Sequence, residues 1–119
     1  MQNKPIIQFE HNHDEARQAW IYSARGKFVG SDLCYQFLED ARENVAAGVP
    51  NVVMDLSGIT MLNSTGIGII ASLFNSTKDI NGKVYVVGAS EATKRPLAAT
   101  HLWDLLEKCD SLHELPDSL

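Results

Sequence analysis

Runs of basic residues, long apolar stretches and paired cysteines are all missing from this sequence. Lysine and arginine number 10 against 15 aspartates and glutamates among 119 residues, so the formal net charge is -5. Without a basic cluster that could follow a phosphate backbone, nucleic acid binding is disfavoured. Hydrophobic residues make up 45% of the chain, as in ordinary globular proteins. The length suits one domain over residues 1–119.

The chain also lacks the features that send proteins into or across membranes. No apolar stretch reaches the ~18 residues that a transmembrane helix requires, and the start MQNKPIIQFEHNHDEARQ lacks the basic and apolar regions of a signal peptide. We therefore expect a cytoplasmic protein without a membrane span. In a reducing cytosol the two cysteines, Cys34 and Cys109, are predicted to be packing residues and not a disulfide or metal ligands.

Strand-like patterns recur along the chain. Short apolar or alternating segments predict strands at residues 5–10, 19–24, 51–56, 83–87 and 103–108. The first two are close enough to form an antiparallel hairpin, with the polar residues 11–14 ending the first strand. Residues 57–62 are predicted to be a connector.

Helix-like patterns separate the later strands. Ser31 or Asp32 can cap a first helix, because apolar residues then recur every three or four positions at Leu33, Phe37, Leu38, Ala41 and Val45. A second helix begins at Ser64, and a third runs from Glu91 to about His101, kinked or shortened by Pro96. Residues 111–115 predict a helical turn. Strands that alternate with helices indicate an α/β fold whose mixed sheet is parallel apart from the N-terminal hairpin.

The segment VVMDLSGITMLNSTGIGII carries the most functional information. It ends a buried strand, turns, and starts a helix at Ser64, a position where the free amides and the dipole of the helix favour an anion. A phosphoryl group on Ser64 would be accommodated there. Gly66 and Gly68 keep the surface low, so that a partner could approach the backbone. The alternative is that Asn63, Ser64 and Thr65 act only as helix caps.

Two longer runs, GKFVGSDLCYQFLEDARENVAAGVPNVVMDLSGITMLNSTGIGII and NGKVYVVGASEATKRPLAATHLWDLLE, resemble the STAS domain, the family named for sulfate transporters and anti-sigma factor antagonists. The likeness extends over residues 6–115. Its most specific piece, DLSGITMLNSTGIG, is similar to the family's strand, connector and Asp-Ser-Ser/Thr-Gly-Leu-Gly turn. Gly82 and the segment SEATKRPL match the family's Gly-Gly turn and third helix. The resemblance implies a STAS fold.

The resemblance also implies a function. In the antagonist members, the serine that matches Ser64 is phosphorylated by a partner anti-sigma factor that is a serine kinase, and the unphosphorylated form binds that kinase and frees the sigma factor. It implies a binding protein and not an enzyme, without a cofactor, together with a phosphatase that reverses the modification. The partner-binding residues implied are Asn63, Ser64, Thr65, Gly66, Ile67 and Gly68.

Two positions depart from the family pattern. Asn63 stands where the family has aspartate, and Lys27-Phe28-Val29 replaces the Glu-Leu-Asp that follows the glycine matched by Gly26. Asparagine keeps a capping side chain while removing a charge, so the turn is expected to survive. The lost carboxylates motivate a second hypothesis, a STAS scaffold or accessory subunit of a signalling or transport complex that is never phosphorylated.

The sequence predicts neither a metal site nor a nucleotide site. His11 and His13 with Asp14 and Glu15 could bind a metal, but no third ligand follows at a fixed spacing, so no metal site is predicted. No Walker or dinucleotide-binding pattern is present.

The sequence predicts neither a hydrolase triad nor a tryptophan that contacts a partner. A triad of Ser64, His101 and Asp55 lacks the Gly-x-Ser-x-Gly elbow of serine hydrolases. Trp103 is predicted to close the core and not to form a partner contact.

Overall fold

A five-stranded mixed sheet is the centre of the computed structural model, which describes residues 6–119. The strands lie side by side in chain order: Ile7–Asp14 (β1), Ala19–Phe28 (β2), Asn51–Leu62 (β3), Val84–Val87 (β4) and Glu107–Cys109 (β5). β1 and β2 pair antiparallel, and the remaining neighbours pair parallel. The predicted α/β fold with an N-terminal hairpin is confirmed.

Four helices connect or follow the parallel strands. They are Asp32–Ala46 (α1), Ser64–Lys78 (α2), Glu91–Ala98 (α3) and Leu102–Leu105 (α4), and a 3-10 turn follows at Leu112–Glu114. Side chains of α1, α2 and α3 form the main core against one face of the sheet. Within residues 6–119 no helix combines the length and the apolar character needed to cross a membrane.

The N-terminal hairpin is longer than the sequence predicts. β1 continues through the polar residues 11–14, because His11 and His13 pack their rings against Trp20 at 5.3 and 5.2 Å between centroids. Pro5, the predicted start of this strand, lies outside the described residues. β2 likewise passes Gly26, whose φ of 115° allows the strand to continue where a side chain would collide with the carbonyl oxygen of Ile6.

β3 is twice as long as predicted. Residues 57–62, predicted to be a connector, continue the strand and pair with β2 as far as Phe28 and Leu62. Two register shifts, between Ser23 and Arg25 and between Gly26 and Lys27, each give β3 one extra residue relative to β2. Such bulges break the apolar alternation by which a strand is recognised from sequence. The extension carries the chain to the point where α2 begins.

The first helix begins after Ser31, as predicted, with one error in its buried face. Leu33 is 39% exposed, and the buried position is taken by Cys34, which lies in the main core. α1 is also tied to β2 by polar contacts. The buried Tyr22 hydroxyl donates to the Asp40 carboxylate and accepts from the Asn44 amide. Burial, together with the Asp40 carboxylate, raises the pKa of Tyr22 well above its ordinary value.

The C-terminal part contains a second error. The predicted strand at residues 103–108 is helical over its first half and becomes β5 only at Glu107. The third helix is shortened, as Pro96 predicts, and ends at Ala98. Trp103 is half-buried against the main core, which confirms its predicted packing role, and the ammonium of Lys108 lies 5.0 Å from its ring centroid.

The other face of the sheet has a smaller apolar cluster covered by the C-terminal segment. Leu115 and the half-buried Cys109 pack there against strand side chains that include Val53 and Val87. Arg17 holds this segment in place, since its guanidinium donates to the carbonyls of Pro116 and Leu115 at 2.7 and 3.3 Å. The C-terminal segment thus covers the first half of β3 on this face, whereas outward side chains in the second half of the strand stay exposed.

Candidate functional site

The turn from β3 to α2 holds the residues that the sequence singles out. β3 ends at Leu62, Asn63 is the N-cap in extended conformation, and Ser64 is the first residue of α2. The Asn63 side-chain oxygen accepts the Gly66 N–H at 2.9 Å, and its carbonyl oxygen accepts the Ile67 N–H at 3.0 Å. The predicted helix start and the predicted capping by Asn63 are both confirmed.

Asn63 has a second contact that an aspartate could not make. Its side-chain nitrogen donates to the Val29 carbonyl at 3.3 Å, so the amide links the start of α2 to the segment that follows β2. A carboxylate could still accept from Gly66, but it would face the Val29 carbonyl with no proton to donate. Asn63 therefore fits this site through both ends of its amide, and it leaves the turn uncharged.

Ser64 and Thr65 are exposed at this end of α2. No described residue accepts a hydrogen bond from the backbone N–H of either one. These two donors and the aligned peptide dipoles make the surface beside the Ser64 hydroxyl electropositive, which favours an anion there. The hydroxyl is open to solvent and is accessible to another protein.

The two glycines of the turn differ in their surroundings. Gly66 is buried, and a Cβ there would lie 2.2 Å from the Phe28 carbonyl oxygen and 2.8 Å from Leu62 Cδ1. Gly68 is exposed, and a Cβ there would have no neighbour within 4 Å. Gly66 thus lets α2 pack closely on the end of β2, whereas Gly68 leaves a low spot on the surface. Ile67 between them is half-buried against the main core.

Sequence reasoning did not find two of the residues around Ser64. Gly30, with φ of 87°, leaves room for Thr65, whose methyl group would lie 2.4 Å from a Cβ at that position. Met61 is 48% exposed and pairs across the sheet with Lys27, which is also exposed. Met61 could have been found only if residues 57–62 had been recognised as a strand, because strand alternation then points it outward.

The alternative chemistries do not assemble. His11 and His13 stack on the helix side of the sheet, whereas Asp14 lies on the other side and accepts two hydrogen bonds from Arg17, which lower its pKa. Among residues 6–119 no three potential metal ligands are grouped. Asp55, the acid of the considered triad, accepts from the Ser57 N–H at 3.0 Å in the middle of β3 and lies far along the strand from Ser64.

Comparison with known proteins places this geometry in a family. The sequence matches the family model of the STAS domain over residues 18–115. The fold is similar to that of an anti-sigma factor antagonist from Mycobacterium paratuberculosis, at 23% identity and a TM-score of 0.75, covering 91% of this chain and 89% of that one. No curated protein sequence matches the chain.

Two further proteins have solved structures that are similar at lower identity. SpoIIAA of Bacillus, an anti-sigma factor antagonist, is 11% identical in both its forms. Its unphosphorylated form has a TM-score of 0.74, covering 90% of this chain and 92% of that one, and its phosphorylated form has 0.70, covering 86% and 91%. Murine Slc26a9, an anion transporter, matches at 15% identity and a TM-score of 0.60, covering 82% of this chain and 17% of that one. These likenesses show the fold. Since the family model spans most of the sequence, the protein belongs to the STAS domain family.

Proposed function

We propose that this protein is an anti-sigma factor antagonist that acts by partner switching and is controlled by phosphorylation of Ser64. In its unphosphorylated form it binds an anti-sigma factor that is also a serine kinase, and it thereby frees a sigma factor. The observation that carries the proposal is the exposed Ser64 hydroxyl at the first position of α2. The activity is binding and not catalysis, and the circuit operates in the cytoplasm.

At the position of Ser64, a phosphate would be tolerated by the fold but would oppose binding of a partner. A phosphoserine adds about 1.5 to 2 negative charges, which the free amides and the dipole at the start of α2 stabilise. The same charge would become costly once a partner removed it from water without supplying a cation. Phosphorylation therefore leaves the domain folded and opposes the complex, and a phosphatase restores binding.

The partner surface proposed here is centred on Asn63–Gly68. Ser64 and Thr65 offer hydroxyls, Gly68 lets a partner approach the helix backbone, and the neighbouring Met61 offers exposed apolar area. Gly66 and Ile67 do not offer side chains to a partner. Both pack inward, and this packing sets how far the turn projects from the domain. Asn63 holds the turn against Val29 and so presents Ser64 in one orientation.

Phosphorylation at Ser64 can be tested directly. The cognate kinase, isolated from the host by co-purification with this protein and supplied with ATP, is expected to add one phosphoryl group to the wild-type protein and none to Ser64→Ala. Thr65→Val is the matched control, because it removes the neighbouring hydroxyl and keeps the methyl group that packs near Gly30. Intact-mass spectrometry reads the result. Equal incorporation by Ser64→Ala and wild type would refute the site.

A scaffold that is never phosphorylated is the second candidate. It is favoured by the Asn63 amide, which uses both its polar atoms within the domain, and by the exposed lysine at position 27. The similar domain in the transporter Slc26a9 occupies 17% of a longer chain, which is how an accessory domain is arranged. A complete lack of phosphoserine in protein isolated from its host under all growth conditions would favour this candidate.

A further inference from the structure

An open groove lies between α1 and the helix face of the sheet, and we call it the aromatic groove. Its volume is about 350 Å³, and its walls come from β1, β2 and α1. The lining residues are Phe9, His11, Tyr22, Leu33, Gln36, Phe37 and Asp40. None of them belongs to the partner surface centred on Asn63–Gly68, so the aromatic groove is separate from the Ser64 turn.

Four aromatic rings line the aromatic groove. Phe9 and Phe37 stack at 5.0 Å between centroids, and Tyr22 meets Phe37 edge-on at 4.9 Å. His11 lies 5.7 Å from Tyr22 and is exposed, as is Leu33 on the helix side. Phenylalanine and tyrosine rings attract a cation that lies within about 6 Å of their centroids. The groove therefore offers a ligand both apolar area and rings that favour positive charge.

Asp40 is the one carboxylate in the lining, and its orientation is fixed. Its Oδ2 accepts the Tyr22 hydroxyl and, at 3.5 Å, the Asn44 amide. Its Oδ1 accepts no hydrogen bond from residues 6–119, and no described cation forms an ion pair with it. The side chain is exposed. A cation in the groove would therefore meet an acceptor that is already oriented.

The charges around the aromatic groove select a cationic occupant. Arg42 is the only basic residue of α1, and it lies on the α2 side of the helix, where it donates to the Ser76 hydroxyl at 3.2 Å. Glu39 and Glu43 stand near Asp40 in the same helix. An anion would be repelled, and a second copy of this chain, with its net charge of -5, is disfavoured.

We infer that the aromatic groove binds an arginine side chain presented by a partner protein. A guanidinium is planar and stacks on aromatic rings, whereas the lysine ammonium is a compact and more strongly hydrated charge. Its plane would lie against the rings of the groove, and its N–H groups would donate to Asp40 Oδ1. Leu33 is 39% exposed in the same groove, so apolar residues beside the arginine would cover it.

Two short peptides test the inference. One is acetyl-Leu-Arg-Leu-amide, and the other has citrulline in place of arginine, which keeps the planar shape and removes the charge. Nuclear magnetic resonance titration of isotopically labelled protein measures both dissociation constants. The arginine peptide is expected to move the signals of the groove residues saturably, with a dissociation constant about three- to tenfold below that of the citrulline peptide.

Variants of the groove show whether its own residues recognise the charge. Asp40→Asn keeps an oxygen that can accept the Tyr22 hydroxyl, and it should abolish the preference for arginine over citrulline. Gln36→Glu adds a carboxylate at an exposed lining position, and it should lower the dissociation constant of the arginine peptide alone by about threefold. Asp79→Asn, at the exposed C-cap of α2, is the matched control for charge. Circular dichroism confirms folding.

Three outcomes would overturn the inference. The first is that the arginine peptide moves no groove signal saturably up to its solubility limit. The second is an equal dissociation constant for the two peptides with the wild-type protein. The third is a preference for arginine that Asp40→Asn lowers no more than Asp79→Asn does, or that Gln36→Glu fails to raise.

Discussion

Ser64→Asp is expected to weaken binding to the cognate anti-sigma kinase by about 100-fold, whereas Ser64→Ala should bind within about threefold of wild type. The aspartate places a carboxylate at the start of α2, where the helix tolerates it. The complex would have to remove that carboxylate from water beside the exposed Met61. Isothermal titration calorimetry with the unmodified kinase measures the difference.

The control for this prediction separates docking from folding. Asn75→Asp adds the same charge at an exposed position of α2 outside the partner surface, and it should keep nearly wild-type affinity. Thermal unfolding of all the variants should give similar midpoints, because Ser64 makes no side-chain hydrogen bond to any described residue. Equal affinity of the Asp, Ala and wild-type proteins would mean that Ser64 is not a switch.

Gly66→Ala is expected to lower the free energy of unfolding by about 2 to 4 kcal/mol. The new methyl group would lie 2.2 Å from the Phe28 carbonyl oxygen, which belongs to the backbone of β2 and cannot move aside alone. Either the first turn of α2 or the end of β2 must shift, and either shift disturbs the contact between Asn63 and Val29. Urea denaturation measures the loss.

Gly68→Ala is the matched variant for Gly66→Ala. It makes the same chemical change two residues later in the same helix, where a methyl group meets nothing within 4 Å. Alanine favours helix over glycine by up to about 1 kcal/mol, so this variant should be as stable as wild type or more stable. If both variants lost the same stability, the cause would be the loss of glycine from the helix and not the close approach to Phe28.

The fold could be predicted from the sequence wherever one physical signal dominated. The turn at Asn63-Ser64 has a clear cap, the helix after Ser31 has apolar residues every three or four positions, and the short buried strand at 84–87 is an unbroken apolar run. The sequence predicts only the first half of β3, because the bulges displace the apolar alternation after Leu56. The sequence also predicts only the first half of β1. Its second half is exposed and is stabilised by ring contacts of His11 and His13 with Trp20 on the neighbouring strand, and not by burial.

The part of the site that depends on local sequence features could be predicted. A cap and a helix start are local features, so Asn63 and Ser64 were found. The contact of Asn63 with Val29 and the fit of Thr65 against Gly30 join segments more than thirty residues apart. The role of Gly66 also depends on a residue distant in sequence. The Phe28 carbonyl approaches Gly66 closely, whereas nothing approaches Gly68, and the sequence alone does not distinguish the two glycines.

The proposed function requires the kinase to cover the Ser64 turn, and a nuclear magnetic resonance titration tests this most directly. Isotopically labelled protein is titrated with the unlabelled, co-purified kinase, and the backbone amide signals are followed. We expect the largest changes in signal position to fall on residues 61–68 and to vanish when Ser64 carries a phosphate. Changes confined to the C-terminal segment or to the outer edge of β1, with the Ser64 amide unmoved, would contradict it.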